Sequence, residues 1–318
     1  MTQLNLNAEA QRRHNLRNTL HTILLLAGTG LLMGVLAYLV LGVGGLLIAS
    51  VFGIIGIVGL GRVSPKMVLN LYKARPLAPD ELPELQDVVR QLAKRAGLTS
   101  IPQLYYVPSK LMNAFAVGTR EDSAIAVTDA LLRTMTTRQL AGILGHETAH
   151  IMNGDLRVMG LADVLNRITG FVSALGLFGI PLVFGVGLDV PLLGLLLMIF
   201  APTIGGLLQL ALSRAREYDA DLDGVSLTGD PDGLASALQT LEEKHGGLIE
   251  GMVLPGARFP QPSILRSHPR TEDRIARIRA VTLRPSEQIV IRSGKTQPSF
   301  VPQVPNPHIR WHRMGVYY

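Results

Sequence analysis

Cysteine is absent from the 318 residues. That excludes disulfides and any metal site built on thiolates, leaving imidazole and carboxylate as metal donors. It also fits a reducing compartment. Charge is scarce: Asp, Glu, Lys and Arg make up 17% of the chain against 47% hydrophobic residues, where a soluble domain carries roughly 25% charge. Aromatics are few, at 5% with one Trp, and no basic stripe interleaves with them. The net charge of +6 therefore carries no signature of a nucleic-acid partner. The basic residues instead crowd the ends of two apolar blocks, which makes anionic lipid the expected partner.

The shortage of charge is local. From Asn18 to Gly61 there is no Asp, Glu, Lys or Arg, a run about twice the ~20 residues of one membrane-spanning helix. The "GVGG" cluster at 42–45 divides it, predicting a hairpin of two helices at about 20–41 and 44–61. The run is too long for a cleaved signal peptide, and no small-residue cleavage site closes it. A second block, 168–213, holds one charge, Asp189, in the turn-like "GVGLDVP". It predicts helices at about 168–187 and 191–212, with Pro181 and Pro202 as tolerated kinks; a buried soluble hairpin is the alternative. Arginines and lysines flank the feet of both blocks: Arg12, Arg13 and Arg17, then Arg62 and Lys66; Arg157 and Arg167, then Arg214 and Arg216. The excess of positive charge at cytoplasmic ends puts all four feet, and both termini, in the cytosol.

The expected fold is a mainly α membrane protein. Two transmembrane hairpins accompany a cytosolic α+β domain with a small, edge-exposed sheet. The segments are an N-terminal arm (1–17), hairpin one (18–61), the first part of the domain (62–167), hairpin two (168–213), the second part (214–282) and a C-terminal extension (283–318). "APDELPELQDVVRQLAKRAG" reads as an amphipathic helix burying Leu85, Val88, Val89 and Leu92, with Gly97 as its C-cap. "PQLYYVP", "LMNAFAVGT" and "SAIAVTDAL" read as strands, the last two joined by the "TRED" turn. Thr136 with Gln139 forms a capping box that opens a helix. "DPDGLASALQTLEEKHGG" reads as a helix capped by Asp230 and Gly246, "PRTEDRIARIRAV" as one with Pro269 first, and "EQIVIRS" as a short strand.

On the helix opened by Thr136 lies "HETAH", residues 146–150. Residues four apart share a helix face, so His146 and His150 can present two nitrogens to one ion, and Glu147 can reach a water on it. This is the H-E-x-x-H zinc-hydrolase pattern. A third ligand is needed. One class places a histidine six residues after the second, but Leu156 stands there and Asn153 replaces the accompanying glycine. The other class takes a glutamate from a later helix, and Glu217 in "RAREYDAD" fits. Asp221, one turn on, is placed to hold a ligand histidine by its second nitrogen. His146 and Glu217 must share one side of the membrane, so the block between them must cross an even number of times.

"HETAHIMNGD", an apolar block, "SRAREYDAD", "MNAFAVG" at 112–118 and "SHPRTEDRIARI" at 267–278 together resemble the HtpX-type membrane zinc metallopeptidases of the gluzincin type, relatives of the CaaX prenyl proteases. The resemblance covers roughly residues 15–280. It implies one zinc per chain on His146, His150 and Glu217, with Glu147 as catalytic base. It also implies a cytosol-facing site in an inner membrane and cleavage of damaged or misfolded membrane proteins as quality control. Asn113 and Ala114 match the edge strand that aligns substrate. His268 matches a hydrogen-bond donor to the tetrahedral oxyanion. Asn153 and Asp155 match family positions for which the sequence supplies no role. The tail beyond 283, with His308 and His312, lies outside the resemblance. A prenyl-peptide protease and a catalytically silent scaffold are the alternative functions. Oligomeric state is not readable.

Overall fold

The computed structural model describes residues 8–60, 65–78, 80–179, 192–252, 270–281, 288–291, 311–312 and 315–316. The chain divides into two compact units.

The first draws on Met1–Arg62 and Arg157–Arg216. Its first helix, α1 (Ala8–Leu60), is broken at Leu41 (φ −132°, ψ 16°) and Gly42 (φ 60°, ψ −143°), the second a backbone region open essentially to glycine alone. The chain folds back there. A Cβ on Gly45 would collide with the carbonyl oxygen of Ala37, and one on Gly34 would lie 3.7 Å from Leu46 Cδ2. A straight helix would hold the first pair ~12 Å apart. Among the described residues, three helices are long and apolar enough to cross a membrane: Thr22–Ile55, Asp155–Phe178 and Leu192–Thr228. Residues 180–191, including Pro181 and Asp189, lie outside the described residues. Leu36, Met198 and Ala201 are buried together, with Leu32, Val40 and Val172 packed around them. The Asn166 amide donates to Gln209 Oε1 at 3.2 Å, and Arg216 bonds the Thr22 hydroxyl.

The second unit draws on Val63–Leu156, Glu217–Pro260 and Pro269–Tyr318. It begins with the short helix α2 (Pro65–Leu71) and strand β1 (Arg75–Pro76). Helix α3 (Pro83–Arg95) buries Leu85, Val88, Val89 and Leu92, the face its periodicity marks, and Gly97 follows at φ +61°. Strands β2 (Gln103–Val107), β3 (Ala114–Gly118) and β4 (Ser123–Thr128) complete a sheet of order β1-β2-β4-β3. β2 runs parallel to β4, while β3 and β4 form an antiparallel hairpin. The residues from Asp129, expected to continue the strand, instead form helix α4 (Asp129–Thr134).

Helix α5 (Thr137–Asn153) carries the HETAH stretch. The Thr136 capping box is present in both directions, and Gly154 ends the helix at φ +69°. Helix α6 (Asp155–Ala174) then starts at once and runs into a π-helical turn, Leu175–Gly179. Helix α7 (Leu192–Thr228) is continuous from the apolar block through Glu217 and Asp221, with Pro202 inside it. Helix α8 (Pro231–Met252) is N-capped by Asp230, whose Oδ1 accepts from Gly233 N at 3.1 Å. It runs through Gly246, where the sequence predicts an end. Helix α9 (Thr271–Arg279) follows, then the two-residue strands β5 (Trp311–His312) and β6 (Gly315–Val316).

The segment expected as a strand near 290 has no ladder over its described part, 288–291. It is pinned instead by Ile289 N to Thr228 O (2.9 Å) and by Gln91 to both the N–H and the C=O of Val290. Ile289 enters the main core with Leu92, Leu104, Ile125, Leu131 and Leu144. That core fills the space between α3, α5 and one face of the sheet.

Candidate metal centre

Local sequence sets the site. The capping box and Gly154 fix where α5 starts and stops, so His146 and His150 sit one turn apart on a buried helix. Helix α7 approaches its side with almost no space between the backbones. A Cβ on Gly224 would lie 2.8 Å from His146 N and 3.0 Å from His146 Cα. Glycine there allows residues one and two turns earlier on α7, Asp221 and Glu217, to reach the histidines.

His146 Nε2 and His150 Nε2 are 3.1 Å apart. Glu217 brings Oε2 to 3.6 Å from His146 Nε2 and Oε1 to 3.8 Å from His150 Nε2. All three donors fall within 4.8 Å of one another. A tetrahedral ion with bonds of ~2.0–2.2 Å spaces its donors by about 3.4 Å, so the donor set fits a zinc-like ion. The outer nitrogens also fit. His150 Nδ1 is 2.8 Å from Asp155 Oδ2, and His146 Nδ1 is 3.0 Å from Asp221 Oδ1, off the ideal hydrogen-bond line. A carboxylate behind each ring places the proton on Nδ1 and leaves Nε2 to face the ion.

Behind this shell stands Arg274 on α9. Its Nε and Nη2 donate to Asp221 Oδ2 and Oδ1, both at 2.7 Å, and its Nη1 lies 3.4 Å from Glu217 Oε2. Burial works against its charge, but Asp221 and Glu217 outweigh that and keep the guanidinium protonated. Burial pushes the Glu147 carboxyl up from its ordinary value, with His146 and His150 partly offsetting it. Burial pulls the His150 imidazole down, but Asp155, Glu147 and Glu217 prevail and take it to about 9.

Glu147 does not join the three donors. Its Oε2 accepts the backbone N–H of Ala116 on β3 at 2.8 Å. β3 is an edge strand, bonded only to β4 among the described residues. The parity of its bonds follows from its ends. Asn113 O accepts from Thr128 N, and Thr119 N donates to Asp122 O. Backbone groups of odd-numbered residues therefore point into the sheet, and those of Ala114, Ala116 and Gly118 point to the open side.

The structure brings His146, His150 and Glu217 together, with Asp221 behind His146, and ties Glu147 through Ala116 N to β3, the strand of Ala114. Asn113 N and O are both committed to Thr128, so the outward-facing backbone belongs to Ala114 and Ala116; the Asn113 side chain is exposed. His268 lies outside the described residues. Sequence reasoning missed Arg274 and the roles of Asp155 and Asn153, whose Nδ2 donates to Asp223 Oδ2 at 2.8 Å. The signal for Asp155 was the glycine before it: a left-handed break turns the next residue back toward the last helical turn.

Two histidines and a glutamate within reach of one ion, with a further carboxylate next to them on an H-E-x-x-H helix, are the arrangement of a metallopeptidase. The chain belongs to peptidase family M48, whose family model matches residues 79–282. It is 34% identical over 283 residues to Protease HtpX of Legionella pneumophila (strain Lens), covering 83% of this chain and 99% of that one. A Protease HtpX homolog of Burkholderia ambifaria (strain MC40-6) is 32% identical over 280 residues, covering 82% and 96%. Among solved structures, Ste24p of S. mikatae aligns at 18% identity and TM-score 0.49, covering 84% of this chain and 66% of that one. With its long apolar helices, the chain is an integral membrane metalloprotease of the HtpX type.

Proposed function

We propose that this protein is a zinc-dependent endopeptidase that cleaves damaged or misfolded membrane proteins on the cytosolic side of an inner membrane. The observation that carries this reading is Glu147, held between the three metal donors and the open edge of β3.

His146, His150 and Glu217 would hold the zinc, one per chain. When bound, it supplies Lewis acidity and acidifies a water. Glu147 takes the proton of the attacking water on its carboxylate and passes it to the nitrogen of the departing amine. Its raised affinity for a proton, from burial, suits that relay. Ala114 offers its N–H and C=O, and Ala116 its C=O, to an extended peptide, which adds to β3 as another strand; the Ala116 N–H is held by Glu147. Such pairing reads main chain rather than side chains, as a substrate class defined by unfolding requires. The exposed Asn113 amide contributes a further hydrogen bond to the peptide, and His268 one to the oxyanion. Asp221 orients His146. The fold-back of α1 at Gly42 supports two crossings by its residues, and α6 with α7 two more; the arginines and lysines at their feet favour the cytosol for all four feet and both termini.

The test compares wild type with Glu147→Gln, zinc-loaded in detergent, on an unfolded protein substrate. Wild type is expected to cleave and the variant to retain zinc without cleaving. Equal cleavage by both would overturn the role of Glu147.

A further inference from the structure

Large apolar side chains exposed on the second unit are few: Met67, Leu71, Tyr72, Ile101, Leu111 and Val290 among the described residues. Half of them belong to α2 and the turn that ends it. Met67 is 63% exposed, Leu71 76% and Tyr72 54%. Met67 and Leu71 are four apart and form one stripe, with Tyr72 beside it. The other side of α2 is already used. Leu69 is buried with Val117 and Ala126 of the sheet, and Val68 and Phe115 pack against them. A seven-residue helix with an apolar face on each side has room for a second apolar neighbour, which none of the described residues supplies.

Charge identifies that neighbour. From Arg62 to Arg75 the sequence reads "RVSPKMVLNLYKAR", with four cations and no acid. Lys66 and Lys73 flank the exposed stripe at its two ends. Only residues 61–64 separate α2 from α1, and five steps of fully extended chain reach at most ~18 Å. An apolar stripe with a tyrosine, rimmed by lysines and following directly on a membrane-crossing helix, has the chemistry of an interfacial helix.

We propose that α2 lies in the bilayer surface, with Met67, Leu71 and Tyr72 among the acyl chains and Lys66 and Lys73 at anionic headgroups. Tyr72 also packs on Phe115, with ring centroids 4.8 Å apart, and Phe115 belongs to β3. The lipid surface, α2 and the strand that holds Glu147 thus form one stack. The membrane fixes the height of the substrate-binding edge, favouring extended segments that leave the bilayer close by. This placement stands on α2 alone and does not depend on the chemistry at Glu147.

The absence of cysteine makes the test direct. A nitroxide is attached to Leu71→Cys, and separately to Asn70→Cys, in the full chain reconstituted into nanodiscs containing anionic lipid. Both positions are exposed, so neither change disturbs the core. Collision with oxygen against a water-soluble nickel chelate reports lipid or water. The label at 71 is expected to favour oxygen at least threefold more than the label at 70, and to lose about half that preference when anionic lipid is replaced by zwitterionic lipid. Equal aqueous accessibility at both positions would overturn the proposal. So would spin–spin broadening at 71, which would assign the stripe to a second copy of the chain. Insensitivity to lipid charge would overturn the role given to the lysines.

Discussion

The two histidines of the candidate metal centre share a helix but are held by different parts of the chain. His150 is held locally: Asp155 is five residues away, turned back by Gly154. His146 is held from a distance: Asp221 comes from α7, and Arg274 from α9 fixes Asp221 in turn. The local support forms once a single turn forms. The distant one forms only when α5, α7 and α9 have packed. The metal centre therefore has one half that secondary structure specifies and one half that reports on the whole fold.

That contrast can be broken from either side. The largest effect is expected from Gly224→Ala, which pushes a methyl group against the His146 backbone. Overpacking of this kind costs roughly 1–3 kcal/mol, and displacing α7 removes Asp221 and Glu217 together. Zinc retention against a chelator should fall at least 100-fold, with a lowered melting temperature. Gly154→Ala strains only the local half. A left-handed alanine costs roughly 1–2 kcal/mol, and retention should fall less.

Next come the carboxylates. Asp221→Asn and Asp155→Asn should each weaken zinc binding, by roughly 10–100-fold. Asp221→Asn should also destabilise the fold more, since it leaves Arg274 buried without its bidentate partner. Equal melting temperatures for the two variants would contradict the asymmetry.

A smaller and sharper effect is expected from pH. A proton and the metal compete for His150 Nε2, and in the metal-free protein that proton is held up to about pH 9. Apparent zinc affinity should therefore fall as pH drops below about 9, by about tenfold per unit while this one proton dominates. In Asp155→Asn the His150 imidazole loses one of the three carboxylates that raise it, the one bonded to its Nδ1, so the fall should begin at lower pH. Isothermal titration at several pH values checks both. The smallest effect is expected from Thr136→Ala, which removes the cap of α5 at a cost of ~1 kcal/mol and leaves zinc affinity unchanged.

The same division explains what was legible in the sequence. The capping box, the buried face of α3 and the shared face of Glu217 and Asp221 depend on spacing within one helix, and each stands as read. The break of α1 was legible too, because only glycine accepts the backbone found at position 42. Arg274 was not, since nothing in "TEDRIARI" distinguishes a buried arginine from a solvated one until α9 meets α7. The outward parity of Ala114 and Ala116 could not be read without the pairing partner of β3. The stretch near Ile289 has a strand's composition, yet it is bonded to α3 and the end of α7 rather than to a sheet.

The alternation along β3 has one further consequence. Its outward backbone groups recur every second residue, so a peptide that adds to β3 as proposed would keep its pairing past Glu147 only in steps of two. A slip of a single residue would turn every side chain to the opposite face. On the proposed mode of binding, the strand edge would impose a reading frame on its substrate without reading that substrate's side chains.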